Sequence, residues 1–188
     1  MNGVRGIGIR SGMAVAVFAM AILCLTPLST NAGGSHTAST TLLRNQEYGD
    51  ALVKGLRDAR RSVICSFYLF KVTEARNNRP RTIVAELIKA ARRGVDVTVI
   101  LETSNDLKDK LNDENRKTAA LLTKGGVKVF FDLPGVTSHL KTAVIDSRYV
   151  FIGSHNLTQS ALQYNNELSV MIDSPEMAAE IKTYLNRL

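Results

Sequence analysis

Apolar and polar positions switch period several times along the chain, from helical spacing to strand-like runs and back. Tyr48, Leu52, Val53, Leu56 and Ala59 recur at helical spacing, which predicts an amphipathic helix over 46–60. Residues 62–70 follow as an apolar run of strand length, and 71–81 as a polar loop carrying Arg76, Arg79 and Arg81. Thr82 is placed to cap the next helix, whose apolar face is Ile83, Val84, Leu87, Ile88 and Ala91, and Gly94 stops it. Residues 95–101 read as a buried strand with Glu102 at its exit. A helix over 112–124 ends at Gly125-Gly126, and 127–131 is another strand. Pro134 and Gly135 mark a loop.

Strict alternation appears next. In the run 138–146, Leu140, Thr142 and Val144 point one way, and His139, Lys141 and Ala143 the other. Asp146-Ser147-Arg148 reads as a turn, where a short carboxylate can bond its own backbone. Tyr149, Val150, Phe151 and Ile152 favour a second strand. Folding this hairpin about Ser147 sets Lys141 opposite Gly153 and His139 opposite His155. After Asn156 come a short helical or irregular segment and a strand over 167–172. Ser174-Pro175 then starts a final helix with Met177, Ile181, Tyr184 or Leu185, and Leu188 inward. Strands alternating with helices predict an α/β fold, a layered αβα sandwich whose terminal hairpin makes the central sheet mixed.

The open end of that hairpin gathers candidate chemistry. An imidazole (His139), an ammonium (Lys141) and two neutral donors (Ser154, Asn156) converge, and Gly153 lets something approach the backbone closely. Such a set suits a phosphate: imidazole can attack phosphorus or serve as acid, and a cation stabilises charge on the phosphoryl oxygens. Ser154 lacks the flanking pattern of a serine-hydrolase elbow. Asp146 lies roughly 16 Å along an extended chain from Lys141, so it is expected to hold the turn and not to touch substrate. His155 alternates away from the site and reads as structural. No Asp/Glu cluster is offered for magnesium, two histidines do not make a zinc site, and Lys141 would repel a cation. No metal or other cofactor is expected.

The spacing His139-x-Lys141, Asp146, Gly153-Ser154-x-Asn156 resembles the motif of the phospholipase D superfamily, and the likeness extends to Asn166-Glu167 and loosely from Tyr48 onward. One copy is present, so the chain is similar to the short single-motif branch typified by bacterial endonucleases. The resemblance implies the same αβα architecture and a metal-independent route through a phosphohistidine, with Glu167 as the carboxylate that orients the imidazole. It also implies two histidines per site. One chain supplies one of them, so a homodimer with a composite site is expected.

Composition adds location and partner. The 188 residues suit one domain, and a net charge of +7 suggests an anionic partner. Arg5 and Arg10 precede an apolar run over 13–25, then Pro27 and small residues to Ala32. This reads as a signal peptide over 1–32, with an uncleaved anchor as the alternative. The run falls short of the roughly 20 residues a spanning helix needs. Cleavage lowers the charge from +7 to +5 and leaves Cys65, read as a buried strand residue, without a disulfide partner. Residues 33–41 read as a polar linker in which His36 is solvated, and 42–188 as the phosphodiesterase domain. The expectation is a periplasmic or secreted phosphodiesterase cutting DNA or RNA, with Arg76, Arg79 and Arg81 tracking the nucleic-acid backbone. The alternatives are a phospholipase D acting on phospholipid head groups and a non-catalytic phosphate clamp.

Overall fold

The computed structural model describes residues 34–106, 108–133 and 135–188. The expected leader lies outside the described residues. Twelve elements follow in order: β1 (Ser39–Arg44), α1 (Gln46–Asp58), β2 (Ser62–Phe67), α2 (Arg79–Arg92), β3 (Asp96–Leu101), α3 (Lys110–Lys124), β4 (Lys128–Phe131), β5 (Lys141–Ile145), β6 (Tyr149–Gly153), α4 (Gln159–Gln163), β7 (Leu168–Asp173) and α5 (Pro175–Leu185).

The seven strands form one mixed sheet in the order β1-β7-β6-β5-β2-β3-β4. β2, β3 and β4 run parallel, joined by the α2 and α3 crossovers, while β5 lies antiparallel against β2. β6, β7 and β1 continue antiparallel to the other edge. β5 therefore lies at the middle of the sheet, buried along its whole length.

Alternation along the strands divides two cores. On one face Val63, Cys65 and Phe67 of β2 and Val97, Val99 and Leu101 of β3 pack with Tyr48, Leu52 and Leu56 of α1, Ile83 and Leu87 of α2, Leu122 of α3 and Leu162 of α4. On the other face Ile64, Ile100, Val144, Val150 and Ile172 pack with Ala178 and Leu185 of α5. Phe67, Phe70 and Phe151 are each at most 1% exposed, a burial that contributes roughly 1.5–3 kcal/mol per side chain. Helices on both faces give the expected αβα sandwich. Cys65 is 3% exposed, and burial pushes its thiol up to about 12, so it is an inert core residue.

Several local expectations change. The linker over 33–41 is partly strand: β1 pairs with β7 from Ser39↔Asp173 to Arg44↔Leu168. His36 is not solvated; its Nε2 lies 3.2 Å from Glu180 Oε1, at ion-pair distance without hydrogen-bond geometry. The strand predicted to residue 70 stops at Phe67, and Phe70 makes a single bridge to Leu157. Helix α2 is capped by Asn78, whose side chain accepts from the Arg81 N–H, and not by Thr82; Pro80 sits in the first turn, where its missing N–H costs nothing. No helix among the described residues is long and apolar enough to cross a membrane.

Candidate active site

The site lies where the parallel strands end and the β5–β6 hairpin opens. Lys141 begins β5 opposite Phe67 and is 7% exposed. Its Nζ donates to the His139 carbonyl at 2.9 Å and stands 5.0 Å from the centre of the Tyr68 ring. Burial lowers the ammonium pKa, partly offset by the charge of Glu167. His139, just before the strand, is exposed, and its ring meets the same Tyr68 edge-on at 4.6 Å and 63°. One aromatic ring thus seats both the imidazole and the ammonium. Tyr68 is held to this strand by its N–H, which donates to the Leu140 carbonyl at 2.8 Å.

Across the hairpin, Ser154 Oγ donates to Glu167 Oε2 and accepts the Leu168 N–H at 3.1 Å. Asn165 Nδ2 donates to Glu167 Oε1 at 3.1 Å. The Glu167 carboxylate is therefore held by Ser154 and Asn165, and among the described residues no hydrogen bond joins it to His139. Its backbone is fixed by Asn45, whose Oδ1 accepts the Glu167 N–H at 2.9 Å and whose N–H donates to the Glu167 carbonyl at 2.9 Å. Asn156 is half-buried, with Oδ1 enclosed and without a hydrogen-bond partner among the described residues. Gly153 does permit a close approach, but by β7: a Cβ there would run into the Cα and side chain of Ser169.

His155 faces away, as its parity requires. It is fully buried and stacks on Tyr48 at 4.4 Å and 10°. Its Nε2 donates to the Asn45 carbonyl at 2.8 Å, which leaves Nδ1 to accept from Ser169 Oγ at 2.7 Å. Burial lowers its pKa, although the bond to Asn45 works the other way. It is a neutral structural residue.

Asp146 is at the far end of the hairpin. It and Ser147 both have positive φ, 55° and 53°, and the Arg148 N–H donates to the Ile145 carbonyl at 3.1 Å. Its carboxylate does not bond its own turn. It accepts the N–H groups of Arg60, Arg61 and Ser62 at 2.7–3.1 Å, tying the α1–β2 connection to the hairpin. Burial alone would raise its pKa, but these three donors outweigh it and hold the carboxyl below its ordinary value.

The arginine loop is only partly a loop. Arg79 and Arg81 lie in the first turn of α2. Arg79 is paired to Asp50 and hydrogen-bonded to Gln163 at 3.1 Å, and Arg81 is paired to Glu74 at 2.7 Å. Arg76 is exposed and has no ion pair among the described residues.

Two carboxylates that the chemistry above did not single out flank the site. Glu102, at the end of β3, accepts the Ser138 N–H immediately before His139. Its carboxyl is pushed up to about 7, first by burial and then by the neighbouring Asp132 carboxyl and the charge of Asp109, against the Ser138 donor. No group of three or more His, Cys, Asp or Glu side chains among the described residues could hold a metal ion.

A family model described as "Cardiolipin synthase, PLD-like domain" matches residues 52–188. The chain belongs to this phospholipase D-like family. Phospholipase D from Rickettsia bellii is 36% identical over 106 residues, covering 56% of this chain and 50% of that protein. Polyphosphate kinase from Thermosynechococcus vestitus is 32% identical over 126 residues, covering 63% of this chain and 17% of that protein. The chain thus spans half or less of the length of these relatives. NucT from Helicobacter pylori has the same fold at a TM-score of 0.66 and 25% identity, covering 80% of this chain and 95% of that one. Nuc from Salmonella typhimurium, a phospholipase D family member, also superposes at 0.66, with 20% identity and coverage of 80% and 93%. Family membership supports a phosphodiesterase-type enzyme.

Proposed function

We propose that the chain is an exported, metal-independent phosphodiesterase acting through a phosphohistidine at a site shared by two copies, with nucleic acid as substrate. One observation carries the chemistry: Lys141 is buried under the exposed His139 and bonded to its carbonyl, so cation and nucleophile hold a fixed relation. The neutral His139 imidazole attacks phosphorus and the bond to the leaving oxygen breaks. That oxygen takes a proton from the protonated imidazole of the second copy's His139. The same imidazole then removes a proton from water, whose oxygen attacks phosphorus and breaks the P–N bond, restoring both rings. Lys141 and the Asn156 amide stabilise the charge on the non-bridging oxygens, joined by Ser154 when its hydroxyl turns from Glu167 to the substrate.

Nucleic acid is favoured by the net charge of +7 and by the near-complete coverage of NucT, against half of the matched phospholipase D. Phospholipid is the second reading. An apolar rim of Phe130 (56% exposed), Phe131 (40%), Leu133 (71%) and Val136 (84%) leads into the His139 strand. The test gives the chain lacking residues 1–32 plasmid DNA, single-stranded DNA and phosphatidylcholine vesicles in excess chelator, with His139→Ala as control. Metal-independent cutting of nucleic acid that the variant lacks is expected. Head-group release with intact DNA would move the assignment to phospholipid, and binding without turnover would leave a phosphate clamp.

A further inference from the structure

Glu102 and Asp132 take no part in the phosphoryl transfer above, yet both are buried, at 4% and 5% exposure, just beyond the ends of the neighbouring strands β3 and β4. Asp132 Oδ1 accepts the Thr103 N–H at 2.9 Å, while its Oδ2 is enclosed and meets no N–H or O–H among the described residues. Glu102 uses Oε2 for the Ser138 N–H, and the register of β3 on β4, which ends at Leu101↔Phe131, sets Glu102 beside Asp132. Among the described residues no lysine, arginine or histidine comes within ion-pair distance of either. From α3, Asp109 at the N-cap adds negative charge. Tyr68 follows β2, and His139 and Lys141 lie beyond Ser138 toward β5, with Nζ of Lys141 committed to the His139 carbonyl. For two carboxylates buried side by side with no cation to separate them, carrying one proton between them is favoured over both being ionised.

The chain between them gives the pair a task. Asp132 opens and Ser138 closes the stretch 132–138 that leads directly to His139. Both of its ends are therefore fastened at the end of β3. We propose that Glu102 and Asp132 form a proton-dependent latch that positions His139. With one proton shared, the latch holds the loop at both ends; with both carboxylates ionised, their repulsion frees the Asp132 end, and the loop that leads to His139 is fastened at Ser138 alone. Glu102 is a positioning residue, and this role rests on His139 being the nucleophile proposed above. Its carboxyl, raised from 4.5 to about 7, sets the range over which the latch opens. The folded pair keeps a proton that the unfolded chain releases near 4.5, so its contribution is complete below that value and is lost as pH rises through about 7.

The test compares the wild type with Glu102→Gln and Glu102→Ala. In Glu102→Gln the amide oxygen can accept the Ser138 N–H while the amide N–H donates to Asp132, which fixes the latched form at every pH. Two readouts are taken at about pH 5.5 and about pH 8.5: backbone hydrogen exchange over 133–138 without substrate, and kcat and KM on bis(p-nitrophenyl) phosphate in chelator. Wild type and Glu102→Gln should exchange alike at the lower pH, and wild type about tenfold faster at the higher. Over the same range kcat of wild type should fall about tenfold against Glu102→Gln with KM within about twofold, and Glu102→Ala should be slow at both. Equal exchange of wild type and Glu102→Gln at the higher pH would overturn the latch, as would Glu102→Gln exchanging as fast as Glu102→Ala at the lower. A latch seen in exchange with kcat unchanged would overturn its action on His139. Absence of turnover in the wild type would overturn the phosphodiesterase reading and leave the latch to be decided by exchange alone.

Discussion

At the turn end of the β5–β6 hairpin, the Asp146 carboxylate accepts three backbone N–H groups from the α1–β2 connection. At the open end, the His139 ring is exposed beside Tyr68, and Asn156 keeps an enclosed oxygen with no partner among the described residues. The two histidines of the hairpin repeat the contrast. His155 has both nitrogens bonded and one face stacked on Tyr48, whereas the His139 ring meets Tyr68 edge-on and neither of its nitrogens is hydrogen-bonded among the described residues. Satisfied polar groups hold a fold in place; groups left open can receive a ligand. Whether its polar groups are satisfied within the fold, more than which end it occupies, therefore decides whether a residue's loss is felt in stability or in turnover.

The strongest way to break this contrast is to remove each histidine in turn. His139→Ala should lower kcat/KM by on the order of 10⁴, with the melting temperature within about 2 °C. His155→Ala should instead cost about 3 kcal/mol of stability, read by urea unfolding, with activity per folded molecule within a few-fold. Exchanged outcomes would remove the distinction. Lys141→Met comes next: kcat should fall about 10²–10³-fold with stability unchanged or slightly raised, because a desolvated charge is removed. Gly153→Ala sharpens the contrast from the structural side. Its new methyl meets Ser169, so a loss of about 2–3 kcal/mol is expected in urea unfolding, carried by the β6–β7 ladder.

Asp146→Asn should cost about 2 kcal/mol at neutral pH and leave kcat unchanged. The Asp146 pKa is lowered below 3.8 in the folded state, so its stabilisation is present above that value and lost as pH falls through the lower, folded one. Wild-type and Asp146→Asn unfolding curves should therefore converge in acid, and parallel curves down to the lowest pH would contradict the assignment. The smallest effect is expected at the arginines. Arg76→Ala should reduce the salt slope of DNA binding by about 1, while Arg79→Ala should leave that slope alone and change stability by under about 1 kcal/mol.

Much of this was legible in the chain. Period changes placed α1, α3, the parallel strands and the hairpin within a few residues, because each buries one face or both against a continuous core. The motif spacing put His139 and Lys141 at one end and Asp146 at the other. β1 was missed because an edge strand has little to bury: of its six residues only Leu43 is buried, so no alternation shows. The start of α2 was hidden by its charge, although Asn78 followed by Pro80 in the first turn was a signal that could have found it. Asn45, Tyr68 and the Glu102–Asp132 contact depend on segments far apart in sequence, and local pattern does not encode them. Glu167 was named through the resemblance, but local pattern did not show that Ser154, just outside β6, and Asn165, just outside α4, would hold its carboxylate.

The central place of β5 also sets how the chain must assemble. β2 gains its antiparallel neighbour only when residues 141–145 arrive, roughly eighty positions later in the sequence. Until then the β2-β3-β4 unit has an open edge carrying Val63, Ile64 and Cys65, the kind of surface that captures other strands. Closing it by long-range pairing makes folding slow compared with helical domains of similar size, because distant segments must meet before their contacts stabilise anything. The strand that begins with the site's lysine is thus also the one whose insertion completes the sheet, and a chain that ended before residue 141 would expose its sheet edge to aggregation.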